Sequence, residues 1–261
     1  MKKGYAIVTG ASSGIGYEMA EILAAKGYWL ILVARRKDRL DKLKNHLVEK
    51  YNTTVEVVQL DLSVKNSAIE LHNYTRNAGL DVEILINNAG FGMQCNFMNQ
   101  SMDKIIEMVQ LNVLTLTHLT QLYANDFLKR GSGKILQVSS GSAYLPTPFV
   151  ASYAASKSYV LNFSEALRFE LRNTKVSVTT LYPGYTNTEF ETVANTRVPW
   201  IIKTTQSHAR EVALAGINGM LKGRKTIIPG YFNKFSLWMS GILPRSVSVF
   251  FAGKVLEGIE K

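Results

Sequence analysis

Thr9-Gly10-Ala11-Ser12-Ser13-Gly14-Ile15-Gly16 is the stretch whose reading decides the fold. It follows an apolar strand pattern, Tyr5 to Thr9, and opens a helical pattern, Ile15 to Ala25, that ends at Gly27. The first turn of a helix leaves backbone N–H groups unpaired and carries the positive end of the helix dipole, so it suits a pyrophosphate. Gly10 permits the tight turn, Gly14 permits close backbone approach, and Gly16 lets the helix pack on the strand. Ser12, Ser13 and Ile15 complete the candidate cradle. A glycine pattern alone is a weak signal. Its place between a first strand and a first helix is what gives it weight.

Outward from this turn, apolar strands alternate with helical patterns. Trp29 to Ala34 is a continuous apolar run, as expected of a strand covered on both faces. Further strands are expected at Val55 to Leu60, Ile84 to Ile86, Ile135 to Val138, Val176 to Leu181 and Thr226 to Ile228. Helices are expected at Asp38 to Tyr51, Lys65 to Ala78, Met102 to Lys129 (one helix or two, stopped by Gly131-Ser132-Gly133), Ser152 to Arg172 and Ser207 to Leu221. This alternation implies right-handed crossovers. The fold class is therefore α/β: a three-layer, Rossmann-type doubly wound parallel sheet with helices on both faces. Such sheets bind ligands beyond the carboxyl ends of their strands. The unusual residues of this chain do fall just after strands.

Composition narrows the function. The chain has 261 residues, 46% of them hydrophobic and 19% charged, which suits one globular domain. One cysteine, Cys95, cannot form a disulfide framework. The four histidines, His46, His72, His118 and His208, show no metal-ligand spacing, so no metal is expected. The net charge of +10 is scattered, without zinc-finger or ribonucleoprotein motifs, so no nucleic-acid partner is expected. The N-terminus lacks the pattern of a signal peptide, and no stretch reaches the ~18 apolar residues of a membrane span. A cytoplasmic location is expected.

The second strand ends in Ala34-Arg35-Arg36. A site selective for NAD usually places an acidic residue here to hold the ribose 2′-hydroxyl. Arg35 and Arg36 would instead attract a 2′-phosphate through charge-assisted bonds, so NADP(H) is the expected cofactor. Asp61, after the third strand, is read either as an acceptor for the adenine amino group or as a helix N-cap.

Tyr153-Ala154-Ala155-Ser156-Lys157 opens a long helical pattern. Positions i and i+4 share a face, so phenol and ammonium can sit side by side. A tyrosine with a pKa near ~10 is a poor base at neutral pH, and an adjacent cation favours its phenolate. Lys157, together with a positively charged nicotinamide ring, is therefore expected to lower the Tyr153 pKa.

The whole order resembles the short-chain dehydrogenase/reductase family, in its compact branch, from about Lys3 to Gly230. The resemblance rests on Thr9 to Gly16, Asp61-Leu62, Asn87-Asn88-Ala89-Gly90, Asn112, Ser139-Ser140, Tyr153 with Lys157, and Pro183-Gly184 with Thr188. Each motif is modest; all of them in this order are specific. The resemblance implies an NADP-dependent oxidoreductase interconverting a carbonyl and a secondary alcohol. Tyr153 would be the general acid/base. Lys157 would hold the nicotinamide ribose, and Ser140 would orient the carbonyl. Asn112 would hold a water in a proton relay. Asn88, Ala89 and Gly90 would line the adenosine side, and Pro183, Gly184, Thr186 and Thr188 would border the nicotinamide. Ser142 is the alternative to Ser140, and Ser139 is expected to support the loop. A non-catalytic dinucleotide sensor or scaffold is the alternative function, but it would have been free to lose Tyr153, Lys157 or Ser140.

One region points to the substrate, and another departs from the compact pattern. Residues 188–206 would form a substrate lid whose apolar members (Phe190, Val193, Val198, Pro199, Trp200, Ile201 and Ile202) suit a lipophilic carbonyl such as a ketosteroid, a 3-oxoacyl chain or an aromatic ketone. Residues 231–261 follow the catalytic domain, 1–230, as an apolar helical tail. Packing on that same domain is the favoured reading, ahead of an oligomer contact or a membrane surface. A homodimer or homotetramer is the expected assembly.

Overall fold

The computed structural model describes residues 4–190 and 206–257. Seven parallel strands form the central sheet: β1 (Tyr5–Thr9), β2 (Trp29–Ala34), β3 (Val55–Gln59), β4 (Val82–Asn87), β5 (Gly133–Val138), β6 (Val176–Leu181) and, at one edge, Thr226–Ile227. That edge strand is β9, because two short strands precede it in the chain: β7 (Thr186–Asn187) and β8 (Ser207–His208), which form a separate parallel pair. The spatial order is β3-β2-β1-β4-β5-β6-β9. The chain winds one way from β1 and the other way from β4, so the crevice between their carboxyl ends is the switch point where such sheets bind ligands.

The apolar strand runs explain this placement. Leu30 to Val33 and Leu85-Ile86 are fully buried, as strands covered on both faces must be. On one face Met19, Leu23 and Leu40 pack beside Val212, Ile217 and Met220. These come from α1 (Gly14–Ala25), α2 (Lys37–Tyr51) and α7 (Ala209–Leu221). On the other face Leu71, Leu119, Tyr123 and Phe127 pack against Ile7, Val33 and Ile135. Those helices are α3 (Ser67–Asn77) and α5 (Leu116–Arg130), with α6 (Ala151–Glu170) beside them. The three-layer doubly wound architecture expected from the sequence is the observed one.

The long pattern from Met102 breaks into α4 (Met102–Val109), one π-helical turn at Gln110–Thr115, and α5. Gly131 ends α5 in a left-handed conformation, φ +82°. Gly133 has a different job from the helix stop expected of it. It opens β5, and a Cβ there would lie 2.1 Å from the Phe127 ring. The helix expected from Ser207 starts at Ala209 because Ser207 and His208 pair with Thr186 and Asn187.

The tail forms α8 (Tyr231–Ile242) and α9 (Arg245–Glu257). Leu237 packs with Tyr182 and Ala143. Tyr231, Phe235, Trp238 and Ile242 form an exposed stripe at helical spacing. Among the described residues, no helix is long and apolar enough to cross a membrane.

Candidate active site

The glycine turn lies at the carboxyl end of β1. Gly10 and Gly14 both take positive φ, +68° and +56°, which non-glycine residues rarely adopt. A Cβ on Gly16 would lie 2.4 Å from the Gly10 carbonyl oxygen, so the start of α1 rests directly on the turn. Thr9 ties the turn to β4. Its hydroxyl donates to the Ile86 carbonyl at 3.0 Å and accepts from the Asn88 and Ala89 N–H groups at 2.9 and 3.0 Å. Asn88 Nδ2 donates back to the Thr9 carbonyl at 2.9 Å. The expected adenosine wall, Asn88-Ala89-Gly90, is thereby held beside the cradle across the switch point. The free first turn of α1 and the crowded glycines fit a pyrophosphate approaching the backbone.

The two arginines after β2 diverge. Arg36 is laid over the turn: it donates from Nε to Ser12 Oγ at 3.2 Å and from Nη2 to Ser13 Oγ at 2.8 Å. Arg35 points toward Asp61 and Glu107, at 3.7 and 3.5 Å. Of the pair, Arg36 stands nearer the cradle. Asp61 is the acceptor in a local turn: its Oδ1 takes the Ser63 N–H at 2.9 Å and the Ser63 hydroxyl at 2.6 Å. Burial pushes its pKa up, but the Ser63 hydrogen bonds and the Arg35 charge outweigh it and leave it low. Asp61 is not the N-cap of α3; that position is Asn66. The Leu62 side chain is buried in the core, so what it can offer a ligand is backbone.

Tyr153, Lys157 and Ser140 come together where α6 passes the end of β5. Ser140 caps a 3₁₀ turn, Gly141–Ala143, and accepts from the Ser142 N–H and hydroxyl at 3.2 and 2.9 Å. Ser142 therefore braces Ser140. Ser139 donates to the Lys157 carbonyl at 2.9 Å, so it braces α6 rather than the loop it was expected to support. Burial pushes the Tyr153 phenol up to about 12, with the hydrogen bond to Ser140 offsetting part of the rise. Burial brings Lys157 down to about 8. Desolvation is the largest influence on this tyrosine and raises its pKa, opposite to the lowering expected from Lys157 together with a positively charged nicotinamide. Lys157 Nζ donates to the Val138 carbonyl at 3.0 Å.

Asn112 sits fully buried in the π-helical turn. Its amide exchanges hydrogen bonds with the Phe91 backbone and donates to Ser156 Oγ at 3.1 Å. A Cβ on Gly90 would lie 2.9 Å from Asn112 Oδ1 and 3.3 Å from Lys157 Nζ, so both polar groups border one glycine. That geometry leaves room beside the lysine only because position 90 has no side chain.

The far wall follows β6. The Pro183 carbonyl accepts from the Gly141 N–H at 2.8 Å, and Thr186 Oγ1 donates to the Gly184 carbonyl at 3.0 Å. Thr188 lies against Gly14: a Cβ there would be 3.1 Å from the threonine methyl. The Phe190 ring stands 5.5 Å from that of Tyr153. The other apolar residues expected of a lid, Val193, Val198, Pro199, Trp200, Ile201 and Ile202, lie outside the described residues.

Sequence reading missed four residues here. Asn233 of α8 donates to the Tyr182 and Pro229 carbonyls at 3.0 and 3.3 Å and touches the space beside Gly184. Ser156 bridges Asn112 to the Tyr153 carbonyl. Arg39 and Glu189 form an ion pair at the rim of the cradle. Arg39 is three residues past Arg36, a spacing that could have flagged it. Nothing local connects either arginine to Glu189.

A phosphate cradle at a switch point, facing a half-buried tyrosine and serine and a buried lysine, defines the class: a Rossmann-type dinucleotide oxidoreductase. The family model for short chain dehydrogenase matches residues 4–198, and the chain belongs to that family. Its members use a nicotinamide dinucleotide. A human very-long-chain 3-oxoacyl-CoA reductase is 33% identical over 203 residues, 76% of this chain. The match spans 64% of that relative's length. An 11-beta-hydroxysteroid dehydrogenase-like protein from Arabidopsis thaliana is 33% identical over 242 residues, 91% of this chain and 80% of the relative. Among solved structures, a short-chain dehydrogenase from Sphingobium yanoikuyae in complex with NADPH superposes with a TM-score of 0.81 at 30% identity, covering 92% of this chain and 94% of that one.

Proposed function

We propose that this protein is an NADP(H)-dependent oxidoreductase that interconverts a lipophilic carbonyl and its secondary alcohol. The convergence of a half-buried Tyr153 with Ser140, beside Lys157, carries the reading. Tyr153 exchanges a proton with the substrate oxygen, and Ser140 holds that oxygen in place. Lys157 holds ribose hydroxyls and, together with a positively charged nicotinamide, favours the phenolate against desolvation. Asn112 holds a water at the far side of Lys157. The nicotinamide carries the hydride chemistry, and the protein aligns and polarises the reacting groups.

Three observations support the finer points. Arg36 over the turn favours a 2′-phosphate, and the NADPH complex of the Sphingobium relative agrees with that preference. Phe190 against Tyr153 makes one side of the site apolar. The names of the reductase and hydroxysteroid relatives point to long acyl or steroid carbonyls. Residues 1–230 would form the catalytic unit, with 231–261 packed on it through Leu237 and Asn233.

The test is NADPH-dependent turnover across ketosteroids, 3-oxoacyl thioesters, aromatic ketones and small sugars, with Tyr153→Phe alongside the wild type. Lipophilic ketones should turn over, and Tyr153→Phe should lose at least about a hundredfold in kcat. Full activity in Tyr153→Phe would remove the acid/base assignment. Steady activity on sugars alone would remove the lipophilic substrate.

A further inference from the structure

Glu189 occupies the positive rim of the cradle. Its Oε2 accepts from Arg36 Nη1 at 2.8 Å, and its Oε1 accepts from Arg39 Nη1 at 2.5 Å. One carboxylate thus bridges two guanidinium groups, from the N-cap and the first turn of α2. The same Arg36 reaches Ser12 and Ser13 with its other nitrogens. The hydrogen bonds from Arg36 and Arg39 hold the Glu189 pKa down to about 2, so it is an anion at any working pH.

A carboxylate and a phosphate present the same chemistry to a guanidinium: paired oxyanions that accept its N–H bonds. We infer that Arg36 and Arg39 together form a 2′-phosphate site and that Glu189 is its built-in competitor. This rests on the NADP(H) reading above. A 2′-phosphorylated ribose takes over the arginine N–H groups that Glu189 holds. A 2′-hydroxyl makes no such claim and leaves the ion pairs intact. The discrimination between the two cofactors is therefore the affinity of the arginines for phosphate less their affinity for Glu189. Glu189 directly follows Thr188, which lies against Gly14, so the competitor is carried on the segment that borders the cradle.

The experiment is a binding titration, independent of turnover. NADPH, NADH and adenosine 2′,5′-bisphosphate are titrated into the wild type, Glu189→Gln, Arg39→Ala, the double variant of those two, and Arg36→Ala. Gln keeps the size of the side chain at a half-exposed position, and a thermal melt checks each fold. Exposed ion pairs are individually weak, so the expected gain is modest. Glu189→Gln should bind NADPH and the bisphosphate about fivefold more tightly, or about 1 kcal/mol at 1.4 per tenfold. Its NADH affinity should stay where it was, and the gain should vanish when Arg39→Ala is added. Equal tightening toward NADH would mean a general charge effect and would overturn the inference. So would unchanged or weaker NADPH binding. If the wild type prefers NADPH and Arg36→Ala abolishes that preference while Glu189→Gln leaves it untouched, the competitor falls alone. If the wild type does not distinguish the cofactors, the NADP(H) reading falls and the competitor with it.

Discussion

Lys157 Nζ lies 5.8 Å from the centre of the Tyr153 ring and is bonded to the Val138 carbonyl. The two residues are one helical turn apart on α6, as their i, i+4 spacing requires. Lys157 is buried and Tyr153 half-buried, and loss of solvent acts on them in opposite directions: the phenol rises to about 12 and the ammonium falls to about 8. Each is pushed toward its neutral form. The protein therefore holds a costly cation beside the residue it is proposed to activate.

That cost has a pH signature. The folded Lys157 pKa, about 8, lies below the ordinary lysine value of 10.5. Below pH 8 both folded and unfolded chains carry the charge, and the folded state bears the full burial penalty. Between pH 8 and 10.5 the folded lysine is neutral while the unfolded one still binds a proton, so unfolding takes up a proton and stability rises with pH. The penalty is about 3 kcal/mol at 1.36 per unit. Urea unfolding of wild type and Lys157→Met should show the wild type gaining on the variant across this window. A constant difference between the two curves would show that Lys157 is solvated.

Ser140 and Ser142 are expected to separate in kinetics. Ser140 is the group proposed to touch the substrate oxygen, and Ser142 acts on it through the 2.9 Å bond between their hydroxyls. Loss of one donor to a developing oxyanion typically costs about 10²–10³ in kcat. Ser140→Ala should fall in that range, and Ser142→Ala should lose about tenfold or less. Steady-state assays on one good ketone decide it, and a larger loss in Ser142→Ala would exchange the two roles.

Arg35 and Arg36 make a second pair that sequence alone treats as equal. Arg36 is bonded to Ser12 and Ser13, while Arg35 is 61% exposed and faces Asp61 and Glu107. Hydrogen bonds to charged groups contribute about 1.5–3 kcal/mol, so Arg36→Ala should weaken NADPH binding by about tenfold or more. Arg35→Ala should weaken it only slightly. NADPH fluorescence titration measures both, and equal losses would place the 2′-phosphate between the two arginines.

The difference between these arginines shows where the sequence stops being legible. Strands β1 and β2 can be read to the residue, because a strand covered on both faces is a largely apolar run with abrupt ends, and β6 because its β-branched residues run up to Pro183-Gly184. The motif residues can be read because each follows a strand. The π-helical turn that buries Asn112 cannot, since no residue type marks a single π turn inside an otherwise helical stretch. Glu189 cannot, because its arginines lie 150 and 153 residues away. The direction of the Tyr153 shift is hidden for a related reason. Spacing places two side chains on one face, but the depth of that face below the surface depends on everything packed over it.

Two helix glycines should respond to alanine in opposite ways. A Cβ added to Gly241 in α8 would have nothing within 4 Å of it, so Gly241→Ala meets no obstacle and gains helix propensity, up to about 1 kcal/mol. Gly16 in α1 has the same propensity to gain, but its Cβ would lie 2.4 Å from the Gly10 carbonyl and 2.5 Å from Asn88 Nδ2. Neither atom can swing aside, since Gly10 is backbone and Asn88 is tied to Thr9. Overpacking of this kind costs about 1–3 kcal/mol, more than the propensity returns. Urea unfolding should therefore show Gly241→Ala neutral to stabilised and Gly16→Ala destabilised. The second variant should also bind NADPH more weakly, because α1 must lift from the turn that faces the pyrophosphate. A stabilised Gly16→Ala would mean that the helix start and the cradle are not in contact in solution, and the packing argument for Gly16 would fail.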